Sequence, residues 1–330
     1  MLLRTERKEI VNLHNSKCRI VVGAGAVGLF LAHTLKIAFP QDSLFILSKS
    51  RTVHPLTIEY VDGTRMQEDL QVMLLSEIPH IVSSKIKSSN IYFYVTLPPE
   101  FSDRVFEYIL LISKEIVEEK IITIIFLNNG LIDKKKIENF QLKLSKKVAI
   151  TIQVIRALLI AGYMRTHDEK GTLVKNTGGN KIFYGTYKNE FIDSNIIFPQ
   201  LFYSCIYDNE IFMREKAKFI TNLLLGLIIN KNLLENRNVL KIISKDKLDK
   251  TLESFCKLFR ENEVKYEFIR EQFMNTVHET GTNINSISYA WYHGNRQTID
   301  YFVSELKSVM RKSKNKNAKH FMNEILKEYY

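Results

Sequence analysis

The sequence predicts an α/β chain: a doubly wound sheet in its first part and an all-helical second part. Three observations carry this. Apolar runs of strand length alternate with helix-periodic segments up to about residue 200. A glycine-rich stretch, GAGAVG at 23–28, joins the first such run to the first such helix. Beyond about residue 208 the strand runs fade, and apolar residues recur at helical spacing. At 330 residues the chain exceeds a typical single core, so two domains are expected, 1–200 and 201–330.

Each element has its own signal. Residues 18–22 form a short buried strand. Val27, Phe30, Leu31, Thr34, Leu35 and Ala38 then repeat at helical spacing, and Pro40 stops the helix. Residues 44–47 are a second strand. LTIEYVDGTRM at 56–66 reads as a hairpin turning at Asp62-Gly63. IYFYVTL at 91–97 is a strand stopped by Pro98-Pro99, and 101–119 is helical in period. IITIIFL at 121–127 is a strand ended by Asn128-Asn129-Gly130, and 148–155 is another. GTLVKNTGGNKIFYGTY at 171–187 predicts two strands joined by a turn at Gly178-Gly179. Helices are expected over 209–229, 245–274, 284–312 and 318–329.

Composition removes several function classes. The net charge is +11, and residues 307–320 hold six Lys or Arg and no acid. No zinc finger, RNP pattern or basic zipper accompanies that charge, so no nucleic-acid partner is expected. Cys18, Cys205 and Cys256 form no CxxC pair, which indicates neither a disulfide framework nor a zinc knuckle, and no metal is expected. The N-terminal stretch is charged and lacks a long apolar core. The apolar run 223–229 is too short to span a bilayer. The expectation is a soluble, cytoplasmic protein with no membrane partner.

The glycine stretch follows a strand and opens a helix, the setting in which GxGxxG has mechanical meaning. Gly23 permits the tight turn, Gly25 lets backbone approach a pyrophosphate, and Gly28 allows close helix–strand packing. Ala26 and Val27 open the helix, whose free N–H groups face phosphate oxygens. An acid at the end of the second strand would read NAD, but ILSKSRT at 46–52 has none. Ser48, Lys49 and Arg51 offer a hydroxyl and two cations to a 2′-phosphate, so the cofactor expected is NADP (NADPH).

In the helical part, Lys218 and Asn222 share a helix face among apolar neighbours. A partly buried lysine there has a lowered pKa and suits general-acid work; the other reading points Lys218 to water. GTNINSISYAWYHGNRQTIDYF at 281–302 offers Asn283, Ser286, Thr298 and Asp300. These either hold a carboxylate or serve as a helix start, with Asn283 or Asn285 as N-cap.

Taken in order, these motifs resemble the ketopantoate reductase family, within the 6-phosphogluconate-dehydrogenase-like Rossmann enzymes. GAGAVG matches its opening, Asn129-Gly130 its Asn-Gly pair, and NTGGNKIFYG at 176–185 its Gly-rich strand segment. Lys218-Phe-Ile-Thr-Asn222 matches its K-x-x-x-N, and Asn283 and Ser286 match an Asn and Ser near the C-terminus. The resemblance implies an NADP-binding Rossmann-type domain, a helical substrate or dimerisation domain, and NADPH-dependent reduction of a 2-oxo acid. It makes Lys218 the acid. It assigns the ketone to Asn129 and Asn222, with Asn129 also touching cofactor, and the carboxylate to Asn283 and Ser286. A homodimer is a further implication.

The chain departs from the family at several points. Thr298 takes the place of an acid at a substrate-binding position, with Asp300 two residues on. Ala290 replaces an Asp, Lys216 a Trp and Gly226 an Asn, and Leu97-Pro98-Pro99-Glu100 replaces a lysine and glutamine. The departures keep two alternatives in view. One is a catalytically altered NADP(H)-binding or redox-sensing protein. The other is an opine-type dehydrogenase working through His278 or His293.

Overall fold

The structure is a computed structural model that describes residues 17–49, 55–74, 90–98, 101–114, 120–145, 150–169, 171–186, 192–229, 234–259 and 264–330. Its strands are β1 (Cys18–Val22), β2 (Ser43–Ser48), β3 (Leu56–Glu59), β4 (Arg65–Glu68), β5 (Val72–Leu74), β6 (Asn90–Val95), β7 (Lys120–Phe126), β8 (Ile150–Asp168), β9 (Gly171–Thr186) and β10 (Ser204–Tyr207). They form one sheet in the order β4-β3-β9-β8-β7-β6-β1-β2-β5, with β10 also paired to β9. The run β8-β7-β6-β1-β2-β5 is parallel throughout.

Both faces of the central strands are covered, as parallel pairing requires. Period-two alternation along β6 sends Tyr92 and Tyr94 to one face, and Ile91, Phe93 and Val95 to the other. The first face meets Leu29, Phe30, Leu31 and Leu35 of α1 (Ala26–Ala38). The second meets Val105 and Ile109 of α2 (Ser102–Lys114), and Ile137 and Phe140 of α3 (Lys134–Ser145).

The expected turn at Gly178-Gly179 is a correction. β9 is one strand, and β8 runs on to Asp168 beside it, antiparallel. The pairing changes register near Gly162, and Gly178 (φ 133°) and Gly179 (φ 78°) sit at that irregularity. A Cβ on Gly179 would lie 2.5 Å from the Ile160 carbonyl oxygen. The positive φ angles signal a bulge inside a hairpin, not the hairpin's tip. The 56–66 hairpin is as expected, with Gly63 at φ 84°.

After β10 and the short α4 (Ser194–Ile197) that precedes it, the chain is helical from Ile211. The buried axis is α5 (Ile211–Ile229). Around it lie α6 (Val239–Ile242), α7 (Lys245–Leu258), α8 (Tyr266–Glu279), α9 (Ser286–Tyr292), α10 (Gln297–Lys312) and α11 (Lys316–Tyr329). The expected helix 245–274 is thus two helices, and 284–312 breaks at Gly294 (φ 78°). Asn285 accepts from Ile287 N and caps α9. Among the described residues, no helix is long and apolar enough to cross a membrane.

One buried ion pair ties the helices to the sheet. Arg156 of β8 is fully buried, and its Nε donates to Glu215 Oε1 of α5 at 2.5 Å. Its other nitrogens donate to four carbonyls: Phe126 at 2.8 Å, Ala157 at 3.0 Å, Asn128 at 2.9 Å and Gly130 at 3.1 Å. Burial pushes the Glu215 carboxyl up, against the pull of the Arg156 charge. Removing one partner leaves the other charge buried and uncompensated. Glu215→Ala is expected to destabilise the protein by about 3–5 kcal/mol. The double variant Arg156→Met/Glu215→Leu should recover part of that loss, since it strands no charge. Urea denaturation of the three proteins measures both effects.

Candidate active site

The strand order reverses at β1, which has β2 on one side and β6 on the other. In open α/β sheets the crevice beyond the strand ends at such a point is where ligands bind. GAGAVG fills that position. Gly23 follows β1 at φ 118°, and its N–H donates to the Leu47 carbonyl at 2.9 Å. A Cβ on Gly23 would lie 2.8 Å from Thr96 Oγ1, and one on Gly28 would lie 1.9 Å from the Gly23 carbonyl oxygen. Thr96, after β6, holds this turn by donating from its hydroxyl towards the Val22 and Gly23 carbonyls, 3.2 Å from each.

Gly25 differs from the other two. A Cβ there would meet nothing within 4 Å. It is the N-cap of α1, with no side-chain cap and no acid in the first turn. The N–H groups opened by Ala26 and Val27 therefore face free space over a glycine. That is the cradle a diphosphate needs. A cation also stands beside the loop, because Arg165 of β8 donates to the Ala24 carbonyl oxygen. Nothing in the sequence signals Arg165 when β8 is read as ending at 155.

The loop opens into a cleft of about 220 Å3. Val27, Thr96 and Leu97 line its sheet side, and Asn128 and Asn129 its floor after β7. Lys218 of α5 projects into it, and Ser286, Thr298 and Phe302 close the helical side. Of the expected substrate residues, Asn129, Lys218, Ser286 and Thr298 therefore meet in one cavity. Asn222 lies one turn along α5 and is half-buried, outside the lining. Asn283 packs elsewhere: a Cβ on Gly162 would lie 2.3 Å from its Nδ2, so Asn283 covers the β8 bulge. Ser48 ends β2, and Lys49 lies just beyond it with its ammonium 4.2 Å from the Phe101 ring centre. Arg51 lies outside the described residues.

The remaining positions have local explanations. Asp300 accepts from the Tyr330 hydroxyl at 2.7 Å. His293 bonds the Tyr289 carbonyl at 2.8 Å, and neither His293 nor His278 lines the cleft. Gly226 allows α9 to approach α5: a Cβ there would lie 2.8 Å from Ile287 Cγ2, so an asparagine does not fit. Among the described residues, no group of three or more His, Cys, Asp or Glu is placed to hold a metal ion.

Lys218 settles between its two sequence readings. Its Nζ donates to the Leu159 carbonyl at 2.6 Å inside the cleft. Burial, and secondly the Arg156 charge, push its ammonium down to about 7. A lysine facing water has neither influence. Asn128 was missed by the sequence reading, which singled out only its neighbour. It is 5 % exposed, lines the cleft, and its Oδ1 has no hydrogen-bond partner among the described residues.

No family model matches the sequence, and a search of curated proteins finds no match. Solved structures do match. One is described as a probable 2-dehydropantoate 2-reductase from Bacillus subtilis, at TM-score 0.61 and 15% identity, covering 94% of this chain and 99% of that one. Another is a dimeric ketopantoate reductase from Staphylococcus aureus, at TM-score 0.60 and 12% identity, covering 95% and 100%. A third is D-mandelate dehydrogenase with NADH, at TM-score 0.63 and 14% identity, covering 94% and 97%. The chain has the ketopantoate reductase fold. Coverage near the full length of both chains means that this fold accounts for the sheet and the helical part together.

Two outcomes test the geometry of the ketopantoate reductase fold at its glycine loop and its lysine. Gly28→Ala forces a Cβ into backbone and is expected to destabilise by about 3 kcal/mol, whereas Gly25→Ala leaves the denaturation midpoint nearly unchanged. In NMR titration of the lysine Cε signals, one resonance, lost in Lys218→Met, should titrate near pH 7. A midpoint near 10 for that resonance contradicts the burial described.

Proposed function

We propose that this protein is an NADPH-dependent reductase of a 2-oxo acid, with Lys218 as its general acid. The observation that carries the reading is a lysine with a pKa near 7 in the same cleft as an open glycine loop. The loop's N–H groups and Arg165 take the diphosphate. Ser48, Lys49 and Arg51 are the proposed 2′-phosphate contacts. When bound, the nicotinamide supplies the hydride that reaches the ketone carbon.

The chain's own residues supply the rest. Lys218 keeps one N–H on the Leu159 carbonyl, which leaves two for the substrate. The ammonium polarises the ketone oxygen and gives it a proton as negative charge develops there. Asn129 orients the ketone from the cleft floor. Ser286 and Thr298 offer hydroxyls to the carboxylate. Asn222, one turn along α5, is the proposed outer substrate contact, and Asn283 is proposed to act on the site only through the β8 bulge that it covers. Leu159, Ile287 and Phe302 are the apolar wall that keeps water from the lysine. A homodimer is proposed because a neighbour is described as dimeric.

The sign of the pH dependence follows from the depressed lysine. Reduction needs the ammonium, so kcat/KM for the ketone is flat below about pH 7 and falls as pH rises through it. Oxidation of the alcohol needs the neutral amine and rises through the same value. Lys218→Ala is expected to lower kcat for reduction by about 10^2- to 10^4-fold while NADPH affinity is kept. NADPH absorbance, followed with 2-oxo acids and, in reverse, with NADP and the 2-hydroxy acids, checks the rates and their pH dependence, and a fluorescence titration checks the affinity. Tight NADPH binding with no turnover of any acid would replace this reading with the non-catalytic, cofactor-sensing one.

A further inference from the structure

The floor of the cleft holds a polar group that the fold leaves unsatisfied. Asn128 is 5 % exposed, and its Oδ1 has no hydrogen-bond partner among the described residues. A buried amide oxygen without a donor destabilises the folded protein. The backbone on either side is held in place. Arg156 Nη2 holds the Asn128 carbonyl at 2.9 Å and the Gly130 carbonyl at 3.1 Å, which pins the backbone on both sides of Asn129.

The chemistry of the missing partner is constrained. Oδ1 accepts only, so the partner carries an N–H or an O–H. The reacting end of a 2-oxo acid near neutral pH is a ketone and a carboxylate, both acceptors. A reduced nicotinamide nucleotide carries donors on its carboxamide and on its ribose. Position agrees with this. Asn128 lies two residues beyond β7, which pairs with β6, and β6 is followed by the Thr96 that holds the glycine turn. Ser286 and Thr298 come from the helical side.

We propose that Asn128 is a cofactor-reading residue whose Oδ1 accepts a hydrogen bond from the nicotinamide half of the bound dinucleotide. The inference rests on the reading that this cleft takes such a cofactor. It makes the two adjacent asparagines different in role: Asn128 faces the cofactor, and Asn129 faces the ketone.

The experiment compares wild type with Asn128→Leu, which matches the amide in size and removes its polarity. Fluorescence titration with NADPH should show about tenfold weaker binding for the variant, the value of one lost hydrogen bond. Binding of 2′-phospho-ADP, which lacks the nicotinamide and its ribose, should be unchanged. The cofactor-free variant should melt higher than wild type, because an unpaired polar group has gone. A merely structural asparagine gives the opposite signature, a lower melting temperature with both ligands weakened alike, and that result overturns the proposal. Equal NADPH affinity in the two proteins overturns it and leaves the reductase reading standing. Weaker binding of the 2-hydroxy acid product with NADPH binding intact assigns Asn128 to substrate and also overturns it. A wild-type protein that binds no NADPH removes the reductase reading and this inference together. Asn128→Ala, which only deletes atoms, carries the same ligand comparison if the leucine variant does not fold.

Discussion

The site depends on one guanidinium. Arg156 satisfies four carbonyls and one carboxylate from inside the sheet. Three of those carbonyls, Phe126, Asn128 and Gly130, belong to the end of β7 and the turn that floors the cleft. The carboxylate belongs to α5, three residues before Lys218. One side chain therefore fixes the floor, fixes the helix that carries the lysine, and contributes charge to the lysine's surroundings. Burying such a pair in place of apolar residues gains little stability, because desolvation consumes most of the attraction. Its presence is better explained by position than by strength. A hydrophobic replacement would fill the space but would leave the turn's carbonyls without a donor.

The glycine loop shows the same division between packing and ligand. Gly23 and Gly28 are enforced by atoms of the protein itself, since a Cβ at either would strike backbone or Thr96. Gly25 is not enforced by anything among the described residues. A glycine that the described packing does not require, at a helix start with no side-chain cap, leaves open the space that the proposed diphosphate would take. Asn128 is the polar counterpart of that space: a bond left unmade, where Gly25 is a volume left unfilled. Asn128 lines the cleft floor, and Gly25 caps α1 two residues before Val27, which lines the sheet side.

What could be read in the sequence was what is decided locally. Strand β1, helix α1 and the Asp62-Gly63 hairpin follow from short apolar runs, a proline stop and a turn dipeptide, and they stand where expected. The length of β8 does not follow, because residues beyond 155 become strand by pairing with β9 across a bulge, and their outer stretch is exposed and polar. The missed site residues share that cause. Arg165 lies on the unread part of β8. Arg156 is a lone charge at the end of an apolar run, and its burial is decided by Glu215, 59 residues away. Lys218 was legible as a spacing, but only the wall built by α9 and α10 turns its face into a cleft. Asn128 and Asn129 are indistinguishable in sequence, and the Arg156 contacts decide which is buried.

Thr298 is where sequence and structure combine most closely. The resemblance puts an acid at that position, and its loss reads at first as damage. The cleft lining contains no carboxylate among the described residues, and the one acid nearby on α5, Glu215, is taken up by Arg156. Nothing negative therefore opposes the desolvation of Lys218. An acid facing the ammonium would stabilise its charge and pull its pKa back towards the ordinary lysine value. With a threonine there, burial and the Arg156 charge act in the same direction, and the ammonium comes down to about 7. A proton donor matched to neutral pH transfers its proton to a developing alkoxide more readily than one near 10. The missing acid and the acidified lysine are thus one feature of the site, and under the proposed function the substitution adjusts the proton donor without removing it.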